Sequence, residues 1–352
     1  MTTDGPDGQT VEREREADGR TRSRSSRAVA VAVALLAAAA AASLALGSRD
    51  VPLPTVLTIL AGGGGDPADV TAVLDLRVPR TAVAIVVGAA LAVSGAVIQA
   101  VTRNPLADPG ILGVTSGSAF AVVVAVGFLG VTAPSGYLWF ALVGAFAAAV
   151  AVYAIGSTGR GGPNPVRLTL AGVALGAVLA GIVSAIRLSD PRTFTAVQTW
   201  ESGAVDDRGW PVLLAALPFV VVGLVLAIAI TGSLDAVAMG DDLAASLGTH
   251  VVRTRVVAVV AVTLLAGAAT AVAGPIAFVG LMIPHIARWF VGPSQRWIIL
   301  MSIALGPVLL LVADVLGRVV ARPGEIPVGI VTAVVGAPVL IALVRRQRVS
   351  AL

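Results

Sequence analysis

The sequence contains no cysteine and no lysine. The first absence excludes disulfides, thiolate nucleophiles and thiolate metal sites, and leaves the compartment open. The second excludes a phosphate-binding loop of the Gly-x-x-x-x-Gly-Lys-Ser/Thr type. An ATP-driven step would therefore fall to another polypeptide, with no cofactor expected in this chain. Only two histidines occur, His250 and His285, far apart in sequence, so no metal site is expected. Charge is scarce as well. Of 352 residues 12% are charged, against about 25% in a soluble domain. That is too little to cover a soluble globule, and nothing in it suggests a nucleic-acid partner.

What is present is apolar sequence. The chain is 57% hydrophobic, and uncharged runs near the bilayer-spanning length of about 20 residues recur along it. Ten spans are expected, over 28–46, 81–101, 115–131, 137–155, 168–186, 211–230, 256–273, 276–286, 297–316 and 326–344. The short eighth carries Pro284 and His285, with Arg288 just beyond, and is the weakest of them. The fold class is all-α: a polytopic membrane protein of about ten transmembrane helices in one domain over 28–346. Residues 1–27 hold six acids and six arginines without apolar period and are expected to form a disordered tail. Residues 347–352 form a second short tail. A signal peptide is the alternative to an uncleaved first helix, but the run exceeds the usual 7–15 apolar residues and more spans follow.

Three connections stand out. Residues 47–80 form a long polar link with a flexible middle at Gly62, Gly63, Gly64, Gly65, Asp66 and Pro67. Residues 187–210 are polar and partly helical. Residues 231–255 are too polar to span. Asp241 there can cap a short helix, Asp242, Leu243, Ser246 and Leu247 lie along it, and Gly248 can end it. Leu243 and Leu247 share one face. Such a helix lies on the headgroups or docks another protein.

Ten spans put both termini on one side. Arginines on that side fall in the two tails and at Arg103, Arg160, Arg167, Arg253, Arg255, Arg288 and Arg296. The other side has Arg49, Arg77, Arg80, Arg187, Arg192, Arg208, Arg318 and Arg322. The excess places both termini in the cytoplasm.

Residues 77–113 hold the densest pattern. Gly88, Ala92 and Gly95 set small side chains on neighbouring turns, so another helix can approach closely. Gln99 follows, and Asn104 and Pro105 open a polar segment that cannot continue a helix in lipid. Arg77 and Arg80 stand at the outer mouth of the second span and Arg318 at the outer end of the ninth. They either anchor helix ends by snorkelling or form a cationic patch for a soluble partner. Arg318 also lies four residues after Asp314 and could pair with it. Asp314 is the one acid near a span interior, which argues against a proton-coupled carrier. His285 after Pro284 reads first as structural.

Taken in order, these segments resemble the FecCD-type permeases, the membrane subunits of ABC importers for iron-siderophore, haem and cobalamin. The matching residues are Arg77-Val78-Pro79-Arg80, Gly88-Ala89-Ala90-Leu91-Ala92, Ser94-Gly95, Gln99 and Arg103-Asn104-Pro105-Leu106-Ala107-Asp108-Pro109 with Gly113. Further along come Leu170 to Leu175, Leu243 with Ser246-Leu247-Gly248, Gly274 to Leu281, Ile283-Pro284-His285, Arg288, Ala313-Asp314 with Arg318, Glu325 to Gly329 and Gly336-Ala337-Pro338. The resemblance covers roughly 28–346.

It implies a ten-helix permease of a bacterial cytoplasmic membrane. Such a subunit pairs with a second copy or a paralogue and moves substrate along their interface. Two cytoplasmic ATPases, which hold ATP and magnesium, dock below, and an external substrate-binding protein docks above. By the same resemblance Arg77, Arg80 and Arg318 meet acids of the binding protein, and 241–248 is the ATPase-coupling helix. Gly88, Ala92, Gly95, Gln99, Asn104, Pro105, Pro284 and His285 serve helix packing or the translocation path. An iron(III)-siderophore complex is the expected substrate, as the commonest in the family. Glu201, Asp206 and Asp207 add charge where the family is apolar or small, and Pro275 and Ala277 also depart from its pattern. A proton-coupled secondary transporter and a non-transporting scaffold are the competing readings.

Overall fold

The computed structural model describes residues 6–158 and 165–349, and among these all regular structure is helical. In chain order the elements are α1 (Pro6–Ala45), α2 (Leu53–Leu60), α3 (Pro67–Val70), a π-helical turn (Thr71–Arg77), α4 (Val78–Thr102), a 3-10 turn (Pro109–Leu112), α5 (Val114–Leu129), α6 (Pro134–Ser157), α7 (Pro165–Ser189) and α8 (Pro191–Glu201). Then follow α9 (Gly209–Ala229), α10 (Thr231–Ala238), α11 (Asp241–Ser246), α12 (Val251–Ala273), α13 (Val279–Val291), α14 (Gln295–Val320) and α15 (Val328–Val349). Among the described residues seven helices are long and apolar enough to cross a membrane, and α5, α13 and α15 are shorter apolar helices. These ten correspond to the ten expected spans.

Helix α4 is the axis of the bundle. Residues 81–101 carry no charge, and α4 packs against α9, α12, α13 and α14 and is buried along most of its length. The small residues make this possible. A Cβ on Gly88 would meet the backbone of Gly306 and Pro307, and one on Gly95 would fall onto the carbonyl of Gly280. Ala92 is fully buried, and its methyl lies where a Cβ on Gly306 would go. Gly88, Ala92 and Gly95 thus lie at close helix–helix contacts. They face neighbouring helices of the same chain, not a channel.

Three expectations are corrected. The polar stretch 6–27 is not separate from the first span: it continues the same helix as part of α1. Glutamate and arginine are good helix formers, and a helix already nucleated by an apolar run propagates at low cost. The link at 47–80 is largely helical. Asp66 caps α3 by accepting from the Ala68 N–H at 2.9 Å, and Val51, Val56, Ile59 and Val73 form a satellite core that pins α2. The eighth span is shifted to Val279–Val291, because Gly274 (φ +76°) and Phe278 (φ +69°) hold 274–278 out of helical geometry. At 13 residues α13 is about 20 Å long, so the non-helical lead-in carries part of the crossing.

Pro284 sits inside α13 rather than ending it. A proline removes the hydrogen bond to the carbonyl four residues back, here that of Gly280. The side chain of Gln99 fills that place: its Nε2 donates to the carbonyls of Gly280 and Leu281, both at 3.2 Å. Its Oε1 accepts from Arg288 Nη1 at 2.8 Å. His285 stacks edge-on against Trp289 with ring centroids 5.4 Å apart. Gln99, Pro284 and His285 are thus parts of one α4–α13 joint.

Candidate functional site

The candidate residues gather at the two ends of the bundle. At one end Arg77, Arg80 and Arg318 come together as expected, but they do not form an open cationic patch. Arg318 and Arg77 are 2% and 5% exposed. Arg318 donates to the carbonyls of Ser43 (3.2 Å) and Leu46 (2.9 Å) and to Ser43 Oγ (2.9 Å). Arg77 donates to the carbonyls of Leu44 and Ala45, both at 2.9 Å, and of Arg49 at 2.7 Å. The carbonyls of Ser43, Leu44, Ala45 and Leu46 lie at the C-terminal end of α1, with Arg49 just beyond it, and the positive charges face the negative end of the helix dipole. Arg322 completes the set on the Gly47 carbonyl at 2.7 Å.

Arg80 lies closest to water and is paired twice. Its Nε and Nη2 hold Asp314 at 2.7–3.1 Å, and its Nη1 holds Glu325 at 2.6 Å. Asp314 is 1% exposed and also takes Arg318 Nη2 at 2.9 Å, the i,i+4 pair on α14. The expectation of three water-facing cations is corrected here: two guanidiniums are buried helix caps and the third is half of an ion-pair relay. A buried guanidinium needs acceptors, and the end of α1 with Arg49 supplies them to Nη1 and Nη2 of Arg318 and Arg77, while Arg318 Nε is left without one.

Arg80 and Glu325 open onto a cavity of about 550 Å³ lined also by Asp75, Asp206, Asp207 and Arg208. Arg208 is buried and donates to Tyr137 Oη at 2.6 Å. Glu201 lies apart from this cavity and pairs with Arg187. Burial raises the Glu201 carboxyl above its ordinary value, against the opposing charge of Arg187. Burial alone would also raise Glu325, but the hydrogen bond and charge of Arg80, with Ser48 and Arg318, hold it below the ordinary carboxylate value.

At the other end the polar segment splits in two. Helix α10 is buried through Leu234, Ala236 and Val237, and Asp235 accepts from the Gln295 N–H at 2.8 Å, tying it to the start of α14. Helix α11 projects: Leu243 and Leu247 are 47% and 61% exposed, and Ser246 and Gly248 are exposed too. Gly248 has φ +79°, a left-handed stop. Asp241 does not cap α11 as expected. Gly240 is the N-cap, and no side chain bonds there. The Asp241 carboxylate is drawn instead to Arg103 and Arg255, while Asp242 stays exposed.

The turn after α4 brings Arg103 to that place. Arg103 is in left-handed geometry at φ +50°. Asn104 Oδ1 accepts from the Leu106 N–H at 2.9 Å, and Asp108 Oδ1 from the Gly110 N–H at 2.8 Å. Asn104 and Pro105 therefore build a tight turn at the bundle end. Burial raises the Asp108 carboxyl, with the Gly110 bond opposing. The partners of Asp241 were missed by sequence reasoning. Arg103 lies 138 positions from Asp241, and Arg255 lies 14 positions away across the break at Gly248, so no helical periodicity links either to it.

Comparison with known proteins agrees with this architecture. The chain is 44% identical over 302 residues to the ferric enterobactin transport system permease protein FepD of Escherichia coli (strain K12), covering 86% of this chain and 90% of that one. It is 43% identical over 306 residues to the iron(3+)-hydroxamate import system permease protein FhuB of Bacillus subtilis (strain 168), covering 86% and 79%. A solved structure described as an inward-facing conformation of a putative metal-chelate type ABC transporter superposes with a TM-score of 0.80 at 27% identity, covering 90% of this chain and 98% of that chain. The FecCD transport family matches residues 35–346. With that match spanning most of the bundle, this chain belongs to the FecCD transport family.

Proposed function

We propose that this chain is the membrane permease subunit of an ABC importer that carries an iron(III)-siderophore complex inward. The observation that supports it most is the pairing of a helical bundle whose buried acid among the described residues, Asp314, is ion-paired, with a short helix, α11, that presents Leu243 and Leu247 to water at one end. A permease moved by a separate ATPase needs a docking helix and no nucleotide site of its own, and this chain lacks the lysine of a phosphate loop. A proton-coupled carrier needs an acid free to titrate within its spans. Asp314, the buried acid among the described residues, is instead clamped by Arg80 and Arg318. The relatives named above are permeases for iron chelates, and this supports the substrate class.

The partners follow from the same reading. Two ATPase subunits holding ATP and magnesium dock at the α11 end, which faces the cytoplasm together with both termini. The arginine bias between the sides supports that orientation. A substrate-binding protein docks at the Arg80 end, where Arg80 is the reachable cation at the cavity mouth. A second permease subunit, identical or paralogous, packs along α7. Most of α7 is uncovered, and a Cβ at Gly181 would meet nothing, so a neighbouring helix can approach closely.

Uptake of radiolabelled ferric enterobactin and ferric hydroxamate, in cells with and without the gene, tests the proposal. Uptake is expected to need this chain, to stop when the partner ATPase is inactivated, and to survive an uncoupler while ATP is maintained. Uptake that collapses with the uncoupler at constant ATP overturns it. Reporter fusions at Gly8 and Leu352 are expected to read cytoplasmic.

A further inference from the structure

Helix α11 has little apolar support. Of its residues only Ala244 is buried, in a small cluster with Ala236 and Val237 that Val251 covers. Its polar tether is Asp241, whose carboxylate receives Arg255 Nη2 from α12 at 2.9 and 3.0 Å and Arg103 from the C-cap of α4. Arg103 is itself held, since its Nε donates to the Val237 carbonyl of α10 at 2.9 Å. Its left-handed backbone, uncommon for arginine, aims the side chain there. One carboxylate thus joins α4, α10, α11 and α12.

We infer that Asp241 is a positioning residue for energy coupling: it locks α11 to α4 and α12, so that displacement of α11 is delivered to the bundle. The inference rests on the reading of α11 as the ATPase-docking helix. An isolated exposed ion pair would do little. Here the acid serves two guanidiniums at once, the Arg255 side chain is only 13% exposed, and α4 is the helix on which α9, α12, α13 and α14 all pack. Without the carboxylate, α11 keeps its exposed leucines and still docks, but it moves independently of the bundle.

The absence of cysteine makes a direct test available. Ser246→Cys carries a single nitroxide on α11 of the permease assembled with its ATPase in lipid vesicles. Asp241→Asn is expected to free that label and to leave the amount of co-purifying ATPase unchanged. With ferric enterobactin as the probe, ATP hydrolysed per chelate delivered should rise by at least about fivefold. Asp241→Glu is expected to restore both readouts in part, which a mere loss of packing would not show. Arg103→Gln added to Asp241→Asn should cost less than the sum of the two single changes, because both remove the Arg103–Asp241 contact. An immobile label in the Asp241→Asn protein overturns the inference whichever chelate is used. Loss of the ATPase from that variant with the label still immobile also overturns it, since Asp241 would then be a direct contact. Leu247→Asp separates the underlying reading. If it neither loosens the ATPase nor uncouples hydrolysis, α11 is not the docking helix, whatever Asp241 does.

Discussion

At the Arg80 end, Arg77 and Arg318 are buried and bond the carbonyls that close α1, and Arg80 is fixed by Asp314 and Glu325. At the Asp241 end, the Asp241 side chain is 44% exposed, and the helix it tethers projects into water with two bare leucines. The same residue types do different work at the two ends. Burial decides which. A guanidinium out of water must satisfy its donors within the protein and becomes a structural cap. At the water-facing end Arg103 and Arg255 instead share the half-exposed Asp241 carboxylate and tie a projecting helix to the bundle. The first end is built as an anchor, the second as a joint.

Removing an anchor charge should break the comparison most strongly. Asp314→Ala leaves Arg318 and Arg80 without their shared acid, at a cost of about 3–5 kcal/mol. Membrane abundance and the thermal unfolding midpoint in detergent should both fall. If neither moves, the Arg80 end is not an anchor. Arg80→Glu, which sets an acid against Asp314 and Glu325, should likewise lower abundance, and not docking alone.

The α4–α13 joint lies between the ends and offers a graded test. Gln99→Leu leaves the Gly280 carbonyl, freed by Pro284, without its donor, a loss of about 1–3 kcal/mol. Pro284→Ala restores a backbone donor, so the double variant should recover part of the thermal midpoint. Additive losses would mean that Gln99 acts elsewhere.

Leu247→Asp should separate the joint from the anchor. An exposed substitution stays within about 0.5 kcal/mol in stability. Association with the ATPase should nevertheless weaken, as read by co-purification. A drop in thermal midpoint without a change in association would place Leu247 in the fold.

The smallest effect concerns pH. Glu325 titrates below its ordinary value of 4.5 in the folded protein. Its pairing with Arg80 is therefore fully present above that value and fades as pH falls through the lowered one. The thermal midpoint should decline slightly more steeply below pH 4.5 in the natural protein than in Glu325→Gln. Equal slopes would show that Asp314 alone holds Arg80.

Much of the fold was legible in the sequence. Ten apolar stretches became ten helices because hydrophobic length is a local property: a run without charge has to cross or be buried wherever its neighbours lie. Glycines at Gly88 and Gly95 announced close packing for the same reason, and Gly248 announced a stop. The polar segment at 231–255 announced something outside the bilayer, since a chain that polar cannot remain in lipid. The helices on either side of the Gly62–Asp66 break in 47–80 were not legible, because they depend on a satellite core whose members, Val51, Val56, Ile59 and Val73, mean little until they meet.

The sequence by itself determined that this chain is an all-helical membrane bundle with no nucleotide loop, and where its polar breaks fall. Only the tertiary structure decided what the polar residues do. The capping of α1 by Arg77 and Arg318, the filling of the Pro284 gap by Gln99, and the claim of Asp241 by two arginines instead of its own helix all join different elements. The physical reason is that a charge or an amide takes its role from the acceptor within about 3 Å. That neighbour is chosen by how helices pack, and α4 at the centre of the bundle brings most of these pairs together.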